Sequence, residues 1–304
     1  MPPVHFGGMK KRTVFIWLLP LLLHSGSALA WGLETHIYFS QLLVWAIPLA
    51  DGAFRRAARR FPQLVMAGAC LPDLSLVGGA PFRHSHGWQT CERLLVAAEN
   101  DQQRAVALGY ASHLLADVVA HNHFVPAHQA LWLDHPLLTH IMAEWAMDSH
   151  IRPQLFSSAA RLLDENRLVL ATCATQFAPC TLEQAQRALQ RLAAADRLLR
   201  GSCLRPVLYR LFSAIDRRVK AHFDYYIDQT TAHFGQINGI LAGTMPALQA
   251  EPEWENEMWK AIQDSSLGHL LEQIPLPHQL FHHNPNETLA ILAPIAAPAS
   301  TSVG

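Results

Sequence analysis

The chain alternates apolar and polar positions with a helical period along most of its length. Ile37 to Ile47 is apolar on a broad face. Gln89 to Ala98, Gln103 to Val119 and Pro136 to Ile151 carry apolar residues at three- and four-residue spacings. Leu182 to Leu199 and Val207 to Phe234 repeat the pattern, with Arg, Lys and Asp on the opposite side. Strand-like alternation is not found. Gly78-Gly79-Ala80-Pro81, Asn122 to Pro126 and Gly201-Ser202 read as turns between the helices. The pattern predicts an all-α protein with one multi-helix domain.

The two ends read differently. Lys10, Lys11 and Arg12, the apolar run Val14 to Leu23 and the small residues Ala28-Leu29-Ala30 form a signal peptide over residues 1–30. Met9, just before the basic run, is an alternative start. The apolar run is too short for a comfortable membrane span, and no later segment reaches about 18 uninterrupted apolar residues. The expectation is an exported protein, periplasmic or secreted, with no transmembrane segment after cleavage. The helical domain is assigned to residues 31–275. Residues 276–304, rich in proline and ending in Ala, Ser, Thr and Gly, read as a mobile tail.

Composition sharpens this picture at one point. Half of the 304 residues are hydrophobic and the formal net charge is −1, which excludes disorder and gives no global field for a polyanion. Histidine is the outlier: 18 in all, nine of them between His84 and His150. Such clustering points to metal. Cys70, Cys91, Cys173, Cys180 and Cys203 are an odd set with no Cys-x-x-Cys spacing, so a thiolate zinc site is not expected. Cys173 and Cys180 are close enough in sequence to clasp a loop.

His113 and Asp117 lie four apart on a helical segment, so both side chains reach one face and one metal. His140 and Glu144 repeat the spacing on a second helix. One such pair is ordinarily a surface contact. Two of them beside a histidine cluster suit zinc, which takes nitrogen and oxygen ligands. A helix end near Asn122 would let His123 swing away from His113 and Asp117 towards another ion; His121 is its chemical equal. Upstream, Asp73 follows Leu71-Pro72, and either His84 or His86 stands thirteen or so residues on. Cleavage after Ala30 would free the amine of Trp31, which ligates zinc once deprotonated and forms a chelate with its own carbonyl oxygen. His36 follows five residues later.

Together these residues resemble the zinc-dependent phospholipase C family, similar in fold to the zinc-dependent single-strand nucleases. The resemblance is carried by His-x3-Asp-x5-His (His113, Asp117, His123), Trp-x4-His (Trp31, His36) and His-x3-Glu (His140, Glu144). It covers about Trp31 to Asp148. It implies an all-α domain with about three zinc ions per chain. One ion takes Trp31 and His36, a second takes Asp73, His86 and His113, and Asp117 bridges them. The third takes His123, His140 and Glu144. The resemblance thus selects His86 over His84 and His123 over His121. It further implies hydrolysis of a phospholipid at a membrane surface by a metal-activated water, with Asp73 as the catalytic acceptor of the proton.

A single-strand nuclease or 3′-nucleotidase on the same scaffold is the alternative, with nucleic acid as partner. The nucleases carry Gln-Pro-Leu-His where this chain has Ala-His-Asn-His at 120–123. A metal-binding protein without catalysis is the third class. Choline-preferring family members have a Glu three after the N-terminal Trp, matched by Glu34. Their Tyr and Phe around the Asp and His ligands are replaced here by Leu74 and Arg83. Arg83 favours an anionic head group.

Overall fold

The computed structural model describes residues 32–125, 128, 136–215 and 218–250, with the side chains of 136–140 and 215 outside that description. The signal peptide, Trp31 and the tail expected at 276–304 therefore lie outside the described residues. Among the described residues there are helices and no strands, as the periodicity predicts.

The chain opens with α1 (Leu33–Trp45), α2 (Gly52–Arg60), α3 (Pro62–Gly68) and the short α4 (Leu74–Gly78). Then come α5 (Trp88–Val96), α6 (Asp101–Val119) and α7 (Pro136–Ile151). The second half contains α8 (Ala159–Glu165), α9 (Arg167–Phe177), α10 (Leu182–Gly201), α11 (Leu204–Ile215), α12 (Val219–His233) and α13 (Ile237–Leu241). Local chemistry sets many of these ends. Asp51 caps α2 by accepting from the Ala53 and Phe54 amides, and Asn100 caps α6 through Gln103. Thr181 and Gln184 form a reciprocal capping box on α10. Pro62 starts α3 at the first helical position, which separates it from α2 at Phe61. Gly79 takes a positive φ of 74° and ends α4.

The apolar stretch read as one helix from Val207 to Phe234 is divided, since α11 ends at Ile215 and α12 begins at Val219. The helix with His113 leaves α geometry at Val119 and continues through a π turn, Ala120–Phe124. The expected turn at Asn122 is therefore still helical. No cysteine is paired among the described residues, so the Cys173–Cys180 clasp does not form.

The core is organised around α6, whose residues from Ala105 to Val119 are all buried. A helix closed to water on every side sits at the centre of its domain. α3, α2, α1, α12 and α5 pack against it, while α8, α9 and α4 pack on α10. The closest approach is at the α3–α6 crossing. A methyl group at Gly109 would lie 1.9 Å from the Val65 carbonyl oxygen, and one at Gly68 would lie 2.3 Å from that of Val106. Only glycine lets the two backbones meet at this separation.

Candidate metal centre

Three segments converge at the top of that crossing. The first is α1, which presents His36. The second is α6, which presents His113 and Asp117 one turn apart. The third is the irregular stretch around α4, which presents Asp73 and His86. Ser85 draws this stretch together: its hydroxyl donates to the Pro72 carbonyl at 2.5 Å, and its carbonyl accepts from the Tyr110 hydroxyl. Asp73 immediately follows Pro72 and His86 immediately follows Ser85, so these bonds hold both side chains at α6. Asp73 stands at the start of α4 but makes no cap bond with its side chain. His84 is exposed and His86 is buried, which separates the two histidines that spacing left equal.

His36, His113 and Asp117 bring ligand atoms within 4.8 Å of one another, and so do Asp73, His86 and His113. All five residues are buried. Asp117 Oδ1 faces His36 Nε2 at 3.3 Å; its Oδ2 faces His113 Nε2 at 2.8 Å and His86 Nε2 at 3.7 Å. His86 Nε2 lies 3.7 Å from Asp73 Oδ1. The His36 and His113 rings stack at 3.5 Å.

The donor set fits a metal. His113 Nδ1 lies 2.7 Å from the Ala69 carbonyl oxygen, a group that only accepts, so Nδ1 carries the proton. In the neutral ring Nε2 then turns a lone pair toward a carboxylate oxygen. His113 Nε2 and Asp117 Oδ2, 2.8 Å apart, need a proton or a cation between them, and His36 and His86 facing the same carboxylate suit the cation. A histidine whose second nitrogen donates to a backbone carbonyl is the usual form of a metal ligand. Burial pushes the Asp117 carboxyl above its ordinary range, opposed by His113 and His86. Burial of that size without a cation disfavours the anion, and a divalent ion would reverse it.

The second set is partly described. His123 lies in the π turn and Glu144 on α7, both buried. His140 falls on α7, but its side chain lies outside the described residues. Burial, followed by the nearby His233, pushes His123 down to about 4, which keeps its ring neutral at pH 7. His121 is buried in the same turn. His222 and His233 of α12 are also buried, and sequence spacing gave no sign of them.

Glu34 is engaged by arginines. It is fully buried, with Arg152 Nε at 3.0 Å, Arg200 Nη1 at 2.6 Å and Arg205 Nη1 at 3.2 Å. Arg205 also lies 3.5 Å from Asp148 and 4.0 Å from Asp196. Three carboxylates and three guanidinium groups thus form one network linking α1, α7, α10 and α11. Leu74 is buried and Arg83 exposed.

An all-α domain that gathers buried histidines and carboxylates around its central helix belongs to the helical metallohydrolases in form. The family model for zinc dependent phospholipase C matches residues 35–193, more than half of the chain. The chain belongs to the zinc-dependent phospholipase C family, and is accordingly a zinc-dependent phosphoric diester hydrolase acting on lipid. No curated protein and no solved structure matches it. No helix among the described residues is long and apolar enough to cross a membrane.

Proposed function

We propose that the protein is an exported phospholipase C. It would lose residues 1–30, act through a domain spanning 31–275 with a mobile tail at 276–304, and bind about three zinc ions. It would cleave a glycerophospholipid to diacylglycerol and a phosphorylated head group. The observation that carries this reading is the division of the Asp117 carboxylate, with one oxygen toward His36 and the other toward His113 and His86. A carboxylate so placed suits a bridge between two ions. His36 with the Trp31 amine and carbonyl would hold one ion; Asp73, His86 and His113 would hold the other; His123, His140 and Glu144 would hold the third.

Bound zinc supplies Lewis-acid neutralisation of the phosphodiester and an acidified water. The chain's own groups do the rest. Ala69 orients the His113 ring through its Nδ1–H, Ser85 holds His86 beside α6, and Asp73, beside His86, would accept the proton from the attacking water. The burial of Glu34 under three arginines removes the carboxylate that a choline-type pocket would use, which favours a head group other than choline.

Hydrolysis of phosphatidylcholine, phosphatidylethanolamine and single-stranded DNA, each with and without chelator, tests the reading. Lipid cleavage lost on chelation is expected, and cleavage of DNA without any lipid would reject it. Metal analysis of the processed protein should give more than two zinc per chain. Asp117→Asn should lose bound zinc and activity together; full activity in that variant would reject the bridge.

A further inference from the structure

Helix α1 begins without a cap of its own. Its first flanking residue is Gly32, which has no side chain to cap the first turn, although its carbonyl accepts from the Thr35 amide at 2.9 Å. A side-chain acceptor comes from 113 residues away. Asp148, on α7, takes the Thr35 backbone N–H at 2.9 Å and the Thr35 hydroxyl at 2.8 Å with Oδ1. Its other oxygen rests against Gly32: a methyl group there would lie 2.0 Å from Oδ2. The Gly32 φ of −58° suits any residue, so glycine is needed at this position for space. Arg205, 2% exposed, holds Asp148 from behind.

The two ends of this clamp matter for the metal centre. Thr35 is next to His36, Gly32 is next to Trp31, and Asp148 lies one turn beyond Glu144 on α7. We propose that Asp148 is a positioning residue: by tying the Gly32–Thr35 turn of α1 to α7 it sets the direction of the His36 ring and the point from which the Trp31 amine would reach the same ion. The inference rests on the reading of Trp31 as a ligand given under Proposed function.

The test is acylation of the Trp31 α-amine at pH 7 in the processed protein, read by peptide mass spectrometry with and without zinc. Lys220 and Lys260, the only lysines after residue 30, serve as internal references. An amine bound to zinc cannot be acylated, so zinc should slow labelling of the unmodified protein by about tenfold or more. Asp148→Ala should lose most of that protection. Asp148→Asn, which keeps an oxygen acceptor for Thr35, should restore it to within about twofold. Asp51→Ala strips the cap from α2 and should leave protection intact, which separates positioning from general helix fraying.

No protection in the unmodified protein would remove Trp31 as a ligand and the inference with it. Full protection in both the unmodified protein and Asp148→Ala would overturn the inference alone. Loss of protection in Asp51→Ala as well would also overturn it. If Asp148→Ala does not fold, Gly32→Ala takes its place, since its methyl would stand 2.0 Å from Oδ2 and drive the carboxylate off Thr35; lost protection there supports the positioning role, and unchanged protection overturns it.

Discussion

Gly109→Ala links core packing to metal affinity most directly. The added methyl would stand 1.9 Å from the Val65 carbonyl oxygen; such a contact is barely tolerated at 3.0 Å and ordinary only from 3.4 Å, so α3 must retreat by about 1.1–1.5 Å. Ala69, one turn beyond Val65, ends α3 and supplies the oxygen for His113 Nδ1 at 2.7 Å. If it moves with the helix, that distance grows to about 3.8–4.2 Å, past hydrogen-bond reach. Overpacking of the crossing costs about 1–3 kcal/mol. An unmade buried hydrogen bond adds about 1–3 kcal/mol, for a total of about 2–6 kcal/mol. Losing the bond that orients a ligating histidine lowers metal affinity by roughly 10–100-fold. Urea denaturation of the chelated protein reads the first effect, and zinc competition against a chromophoric chelator reads the second. Loss of stability with zinc affinity unchanged would show that the crossing does not position His113. No change in either would refute the packing argument itself.

Three further outcomes are expected. Arg205→Met removes a buried cation shared by Glu34, Asp148 and Asp196, and should lower unfolding stability by about 3–5 kcal/mol in urea titrations; a loss below about 1 kcal/mol would mean that Arg152 and Arg200 suffice. Burial, opposed by Arg205 and reinforced by Glu34, pushes the Asp148 carboxyl up to about 7. A carboxyl raised on folding favours the native state below its unfolded value near ~3.9, and that advantage is lost as pH rises toward about 7. Chelated Asp148→Asn should therefore show a flatter stability profile than the unmodified protein across that interval, and identical slopes would refute the assignment. Removal of zinc should lower the thermal midpoint, because ion binding to preformed ligands adds to folding stability; a midpoint indifferent to chelator would contradict a buried centre.

The meeting of His113 and Asp117 is legible in the sequence because it follows a local rule. The four-residue step from His113 to Asp117 is a property of any helix, and the long amphipathic segments Gln103–Val119 and Pro136–Ile151 appear as helices at nearly those limits. The short helices α2 and α3 escape a periodicity reading, since nine and seven residues show too little of the pattern and their junction depends on Phe61 and Pro62. The break between α11 and α12 escapes it for the opposite reason: both flanks are apolar at helical spacing. The burial of His86 beside α6, with His84 exposed, depends on Ser85 bonding to Pro72 and Tyr110, contacts that no spacing encodes. Glu34 reads as a substrate residue because its three arginines lie 118, 166 and 171 positions away. Asp148 is invisible for the same reason: the helix it caps is not its own.

The π turn at Ala120–Phe124 makes the direction of His123 relative to His113 and Asp117 sensitive to chain length. Each residue in an α-helix advances the side-chain direction by about 100°, and a π turn inserts one residue without adding a full step of rise. Shortening the chain by a single residue there would return the segment to ordinary winding and rotate everything after it, so that the ring of His123 would leave the axis in a different direction. Insertions and deletions at this point therefore redirect the buried side chains of the turn more than most substitutions do, and members of the family that differ in length here should be aligned by the phase of the helix rather than by the nearest histidine.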